Sequence, residues 1–175
     1  YRANNQIKYT GEPEFSDDID NIEYPKYEKF PFDFYSREIP LVTSRGCPYS
    51  CTYCPVALSI GRKFRYRSPQ SMVEEVRYWY NKGYRRFLIW DDNFSLIRKR
   101  VVEFCDLIKS SGFKDLYFGI PNGVRADRLD EDLLRRMWDV GFRQLSIGVE
   151  SGVDHVLVNI KKNETVEQIE RDIKL

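Results

Sequence analysis

From Ile39 onward, short apolar runs alternate with segments of helical period, the pattern of βα units laid around a parallel sheet. Ile39-Pro40-Leu41-Val42 reads as a first strand, Phe87-Leu88-Ile89-Trp90 as a second, Leu116 to Ile120 as a third and Leu145 to Val149 as a fourth. The last three start 29 residues apart, a βαβ spacing. Ser71 and Glu74, a hydroxyl and a carboxylate three residues apart, predict a capping box and a helix from Met72 to Gly83. The next helix carries Ile97, Val101, Phe104, Cys105 and Ile108 on one face and stops at Gly112. Asp130 caps a helix carrying Leu133, Leu134, Met137 and Trp138 that ends at Gly141, and a final helix begins near Thr165. The count is four βα units with no strand to close the sheet.

The chain before Ile39 has no such period. Residues 1–38 are acidic and aromatic, with prolines at Pro13, Pro25 and Pro31 and six aromatics between Tyr24 and Tyr35. They read as a linker or a strap laid over the domain formed by residues 39–175.

Composition narrows the class. The 175 residues are 42% hydrophobic, 15% aromatic and 31% charged, a globular balance. With Lys+Arg 28 against Asp+Glu 27 the formal charge is +1, so no overall basic field gathers nucleic acid or anionic membrane. No run approaches the roughly 20 apolar residues that cross a bilayer, and the first residues lack a signal-peptide core, so the expectation is a cytoplasmic protein. A chain that opens at Tyr1 without an initiator methionine reads as a piece of a longer one.

In a parallel sheet, chemistry collects where the strands end. Those loops are Thr43 to Cys54, Asp91 to Asn93, Pro121 to Arg125 and Glu150 to Gly152. The first contains Cys47, Cys51 and Cys54 as C-x3-C-x2-C. Three thiolates on one short loop can grip three corners of an iron–sulfur cubane and leave one iron open to a ligand. The rival is structural zinc, making the chain a non-catalytic binding module. Zinc needs a fourth ligand, and the spare candidates, Cys105 on an apolar face and His155, lack knuckle spacing. Cys105 reads as a buried apolar filler.

The motif in this strand context resembles the radical S-adenosylmethionine (SAM) superfamily, from about Ile39 to the C-terminus. The resemblance implies part of a (βα)6 TIM-like barrel, truncated here to about four units. Arg67 to Ser71, Asp91-Asp92-Asn93-Phe94, Arg125-Ala126-Asp127 and Gly148-Val149-Glu150-Ser151-Gly152 are similar to the cobalamin-associated branch, whose members carry a B12-binding domain upstream. The implied cofactors are therefore a [4Fe–4S] cluster on Cys47, Cys51 and Cys54, SAM, and cobalamin through an upstream domain absent here. In the family, reductive cleavage of SAM gives a 5′-deoxyadenosyl radical that serves methyl transfer or related chemistry.

Carried onto this sequence, the backbone of Tyr53 would meet the adenine, and Asp91, Asp92 or Asn93 the methionine amino group. Arg125 would clamp the methionine carboxylate and Glu150 the ribose or the amino group. Asp91-Asp92-Asn93 departs from the Gly-Gly-Glu of many members, which leaves the contacting atom open among the three. The family also implies an electron donor of flavodoxin or ferredoxin type. Asp91 or Asp92 as a helix cap and Arg125 paired with Asp127 are the structural alternatives, whereas Glu150, directly after the apolar Leu145 to Val149 run, sits at a site rim and is harder to read as purely structural. The interleaved Arg62 to Arg67 segment could track a phosphate backbone. A solvated loop accounts for it as well, and a small-molecule substrate is the expectation over RNA.

Overall fold

A computed structural model describes residues 2–11, 14–31 and 37–175. Pro13, Asp33, Phe32, Phe34 and Tyr35 of the acidic stretch lie outside the described residues. The strands in chain order are β1 (Arg2–Ala3), β2 (Gln6–Ile7), β3 (Glu38–Leu41), β4 (Ser44–Arg45), β5 (Arg65–Tyr66), β6 (Arg86–Ile89), β7 (Tyr117–Val124) and β8 (Phe142–Ile147). The helices are α1 (Val56–Ser59), α2 (Pro69–Asn81), α3 (Arg98–Ser110), α4 (Glu131–Asp139), α5 (Asp154–Asn159) and α6 (Val166–Ile173).

β3, β6, β7 and β8 form a parallel sheet in that order, so each new βα unit adds its strand beside the last. This is an α/β fold with a partial, unclosed TIM-like barrel. β1 with β2 and β4 with β5 form two small antiparallel ribbons. The period-2 positions Ile39, Leu41, Phe87, Ile89, Phe118, Ile120 and Phe142 are buried. They pack in one cluster with Met72, Val76 and Trp79 of α2, Val101, Phe104 and Cys105 of α3, and Leu133 and Met137 of α4. Burying each of these side chains stabilises the fold by about 1.5–3 kcal/mol, which outweighs any local propensity term.

Several boundaries differ from the sequence expectation. β8 starts at Phe142, three residues before Leu145, because the exposed Arg143 and Gln144 hide its alternation. β7 runs on to Val124 through Pro121 and Gly123, with a register shift between Ile120 and Val124. A proline cannot donate to the ladder and a glycine is a usual bulge residue, which is why the segment reads as a turn. The even 29-residue spacing therefore does not hold in the structure.

The capping box also moves. Ser68 is the N-cap of α2, its hydroxyl accepting from the Ser71 amide at 3.1 Å, with Pro69 opening the helix. Ser71 is buried inside α2, where its Oγ accepts from Arg67 Nε at 3.0 Å. Asp130 caps α4 and Thr165 caps α6, as their spacing predicts.

The described part of the acidic stretch lies on the domain. Asp20 accepts from the Ser68 amide at 2.7 Å, Ile19 is buried, and the Tyr27 ring stands 5.5 Å from Trp79. Arg62 to Arg67 is not free to track a phosphate backbone. Arg62 donates to the Tyr49 carbonyl, Lys63 pairs with Asp17, Arg65 donates to the carbonyls of Ser16 and Ile60, and Arg67 pairs with buried Glu75.

Candidate active site

The cysteine loop leaves β3 and is pinned before it reaches its first thiol. Gly46 has φ +82°, and a Cβ there would lie 2.4 Å from the Lys63 carbonyl oxygen, so only glycine lets the two backbones meet. Its amide donates to Asp92 Oδ2 at 3.1 Å, and the Cys47 amide donates to the Gly61 carbonyl at 3.4 Å. Further along, Thr52 donates to the Ile160 carbonyl and Cys54 to that of Cys51. The loop is thus tied to β6, to the β5 side and to the end of α5.

Cys47, Cys51 and Cys54 line one cavity of about 180 Å³ at the carboxyl ends of the strands, together with Tyr49, Tyr53, Asp92, Asn93, Asn122, Arg125, Glu150 and Lys162. Burial pushes the Cys47 thiol up, while a hydrogen bond from the Asn93 side chain opposes that rise. Asn93 is itself buried, and its Oδ1 has no partner among the described residues. An unpaired buried acceptor costs about 1–3 kcal/mol, and Asn93 is among the residues that line the cavity. Burial pushes the Asp92 carboxyl up and the Gly46 amide counters it.

Of the predicted site residues, Asp91 does not line this cavity. It is fully buried, and its carboxylate accepts from the amides and hydroxyls of both Thr43 and Ser44, with Arg100 at 3.8 Å. It is a structural anchor joining the ends of β3 and β6. The following residues, Asp92 and Asn93, face the site.

Arg125 lines the cavity, but its donors are occupied. Nε and Nη2 hold Asp127 at 2.9 and 3.1 Å, while Nη1 and Nη2 donate to the carbonyls of Lys162 and Asn163 at 2.7 and 3.4 Å. The guanidinium also lies 3.9 Å from the centre of the Tyr49 ring. The Asp127 pairing that sequence offered as the alternative is present, and Arg125 keeps no free fork for a second carboxylate.

Glu150 follows β8 with φ +62°, a left-handed conformation rare outside glycine. Its carboxylate stands 3.7 Å from Lys162 Nζ and meets the Tyr53 hydroxyl. Burial, with Glu150 and Cys51 beside it, pushes the Tyr53 phenol up. A Cβ on Gly148 would lie 2.9 Å from Glu150 Oε1 and 3.0 Å from Lys162 Nζ, so glycine clears the space in which the two charges meet. Lys162 escaped the sequence reading. It lies between α5 and α6, far from any strand end in sequence, and the one available signal was its place in a polar Lys161-Lys162-Asn163 turn.

A larger cavity of about 410 Å³ lies between α4 and β8. Its charges are spent elsewhere, Arg135 on Glu131, Asp139 on Lys109 and Arg143 on main-chain carbonyls, so it offers no chemistry.

Comparison with known proteins identifies the family of the chain. The family model of the Radical SAM superfamily matches residues 41–175. An uncharacterised methyltransferase of Pyrococcus horikoshii is 28% identical over 173 residues, covering 96% of this chain and 37% of the relative. The cytidylyl-2-hydroxyethylphosphonate methyltransferase of Streptomyces wedmorensis is 34% identical over 172 residues, covering 90% of this chain and 32% of the relative. The chain thus spans about a third of these curated relatives.

Among solved structures, the radical SAM methyltransferase TsrM of Kitasatospora setae, with tryptophan substrate and a SAM analogue bound, superposes with a TM-score of 0.69 at 19% identity, over 78% of this chain and 27% of that one. The cobalamin-dependent SAM radical enzyme OxsB, with aqua-cobalamin and SAM bound, gives 0.66 at 24% identity, over 77% of this chain and 21% of that one. Both likenesses show the fold.

Proposed function

Because this chain belongs to the radical SAM superfamily, we propose that Cys47, Cys51 and Cys54 hold a [4Fe–4S] cluster, beside which the strand-end cavity binds SAM for reductive cleavage. The observation that carries the reading is the convergence of all three thiols on one cavity, which Asn93, with its unpartnered Oδ1, also lines. Among the described residues no three His, Cys, Asp or Glu side chains are gathered tightly enough for a single ion. Three thiols on one loop are a ligand set for a cluster with one open iron, whereas a structural zinc needs a fourth ligand.

When bound, the cluster supplies an electron and SAM the sulfonium carbon–sulfur bond that the electron breaks. The chain's own residues do the holding. Asn93 offers its free oxygen to the methionine ammonium, with the Asp92 carboxylate beside it. Glu150 offers a carboxylate to ribose hydroxyls, and the exposed Tyr53 stands at the mouth. The lining brings two carboxylates, Asp92 and Glu150, and two cations, Arg125 and Lys162, groups of both signs for a ligand that carries both.

The methyltransferase names of the relatives support a further proposal, that the whole protein transfers methyl groups to a small molecule with cobalamin held by an upstream domain. A low-potential flavodoxin- or ferredoxin-type donor would supply the electron. Among the described residues no helix is long and apolar enough to cross a membrane.

The test is anaerobic reconstitution with iron and sulfide. About four irons per chain, a reduced-cluster electron paramagnetic resonance signal that changes on adding SAM, and release of 5′-deoxyadenosine under dithionite are expected. One tightly held zinc and no iron would overturn the proposal.

A further inference from the structure

We infer that Arg65 is a positioning residue for the cysteine loop, and that it acts by riveting the return limb of that loop to residues 15–20 of the acidic stretch. The consequence for metal retention rests on the cluster reading above; the placement of the loop does not.

β4 and β5 pair with Ser44 opposite Tyr66 and Arg45 opposite Arg65, so residues 46–64, all three clustered cysteines among them, form the loop of one antiparallel ribbon. A two-stranded ribbon this short is not stable by itself. Its neck is built from backbone alone: Gly46 packs on the Lys63 carbonyl, and the Cys47 amide donates to the Gly61 carbonyl. The position of Cys47 therefore depends on where residues 60–63 are held.

Arg65 holds them from the outside. Its residue is only 6% exposed, and Nη2 donates to the Ile60 carbonyl at 2.9 Å while Nη1 donates to the Ser16 carbonyl at 3.2 Å. The guanidinium lies 4.6 Å from the centre of the Phe15 ring, and the same ring stands 3.7 Å from where a β-carbon on Gly61 would be. Nε has no partner among the described residues. A guanidinium buried between two carbonyls and a ring, with one donor unpaired, costs free energy, and what it secures is a fixed spacing between the loop and the stretch. The neighbouring contacts fall on the same limb. Asp17 pairs with Lys63 at 2.5 Å, an exposed pair that adds little, and Asp20 accepts from the Ser68 amide at 2.7 Å. Arg65 is the buried link among them.

The experiment measures amide hydrogen exchange across residues 46–64 of the metal-free protein, and iron release to a chelator from the reconstituted protein. Arg65→Lys keeps the charge but loses the fork that reaches two carbonyls. It should speed exchange at the Cys47 amide about tenfold, the equivalent of one lost hydrogen bond of about 1.4 kcal/mol. Phe15 is half exposed, so Phe15→Ala should fold, and it should change exchange at Cys47 in the same direction. Phe15→Tyr, which keeps a ring for the guanidinium, should restore the wild-type rate. In Arg65→Lys the Phe15→Ala change should add less than it does alone. Iron should leave Arg65→Lys and Phe15→Ala faster than wild type. Ile108→Val, in the α3 core, should leave both readouts at the wild-type level and so controls for a general loss of stability. Wild-type exchange at Cys47 in Arg65→Lys, an increase spread evenly over the chain, or faster exchange with unchanged iron release would overturn the inference. A wild-type protein that holds no iron would overturn the cluster reading, and the exchange rates would still decide whether Arg65 places the loop.

Discussion

The Asp91 carboxylate accepts from the Thr43 amide at 2.6 Å and from the Thr43 hydroxyl at 2.5 Å, so the ends of β3 and β6 are locked to each other beneath the cysteine loop. Ser44 adds its own amide and hydroxyl, and Arg100 donates to the Thr43 carbonyl. Four donors converge on one fully buried carboxylate. Asp91→Asn places an amide hydrogen pair among them and strands at least one, at a cost of about 3 kcal/mol. For a chain of this size that lowers the melting temperature by roughly 6–12 °C. Asp92→Asn keeps an oxygen for the Gly46 amide and should cost far less. Thermal denaturation of the two variants separates them, and equal losses would show that Asp91 is not the anchor.

The metal assignment predicts a sharp contrast among four thiols. Cys47→Ala, Cys51→Ala and Cys54→Ala should each reduce bound iron to near background after reconstitution, because a cubane deprived of a protein thiolate is exposed to loss. Cys105→Ala should hold as much iron as wild type, since Cys105 is buried in the helix-facing core and takes no part in the cavity. Iron and sulfide analysis of the four proteins decides it.

Cys105 carries its own signature in alkali. Burial pushes its thiol from an ordinary value of 9.0 up to about 12. Above pH 9 the unfolded chain loses this proton while the folded chain keeps it, so the native state binds more protons and stability falls as pH rises. The window runs from about pH 9 to about pH 12, at roughly 1.4 kcal/mol per pH unit. Urea midpoints at pH 8 and pH 10 should differ more for wild type than for Cys105→Val, and parallel shifts would argue that the thiol is not protected.

Helix α2 tests where its cap lies. Ser68→Ala removes the acceptor for the Ser71 amide and should cost about 1 kcal/mol. Ser71→Ala should be no milder, although for another reason: its hydroxyl serves the buried Arg67 that pairs with Glu75. Combined with Glu75→Gln, the Ser71 change should become non-additive, whereas the Ser68 change should not.

How far the sequence could be read follows from these cases. The strands at Ile39 and Phe87 stand out because each is a short apolar run bounded by polar residues, and the structure places them within one residue of that reading. β8 is blurred because two consecutive residues near its start, Arg143 and Gln144, are exposed and break the alternation expected of a strand. The cysteine motif is legible because its ligands are local. Asp91 and Asp92 are equivalent by composition, and only the path of the loop after β6, which ends at Ile89, sends one into the anchor and the other to the site. Lys162 could not be found by period at all, since a pair of left-handed residues, not a regular element, turns it inward.

Gly148 offers the last test, because its missing side chain is part of the site. Its backbone is not left-handed, so alanine is conformationally allowed and the fold should survive. The added methyl, however, would stand within 3.0 Å of both the Glu150 carboxylate and the Lys162 ammonium, closer than real β-carbon contacts permit. Both are ends of flexible side chains, so they move rather than the strand, and overpacking of this kind costs about 1–3 kcal/mol. Displacing the two charges should weaken SAM binding by at least about tenfold, the equivalent of one lost contact of about 1.4 kcal/mol. The three atoms nearest an added Gly148 β-carbon belong to Glu150 and Lys162 and not to the cysteine loop, so iron content should stay at the wild-type level. A Gly148→Ala protein that binds SAM as tightly as wild type would mean that Glu150 does not contact the ligand where the structure holds it.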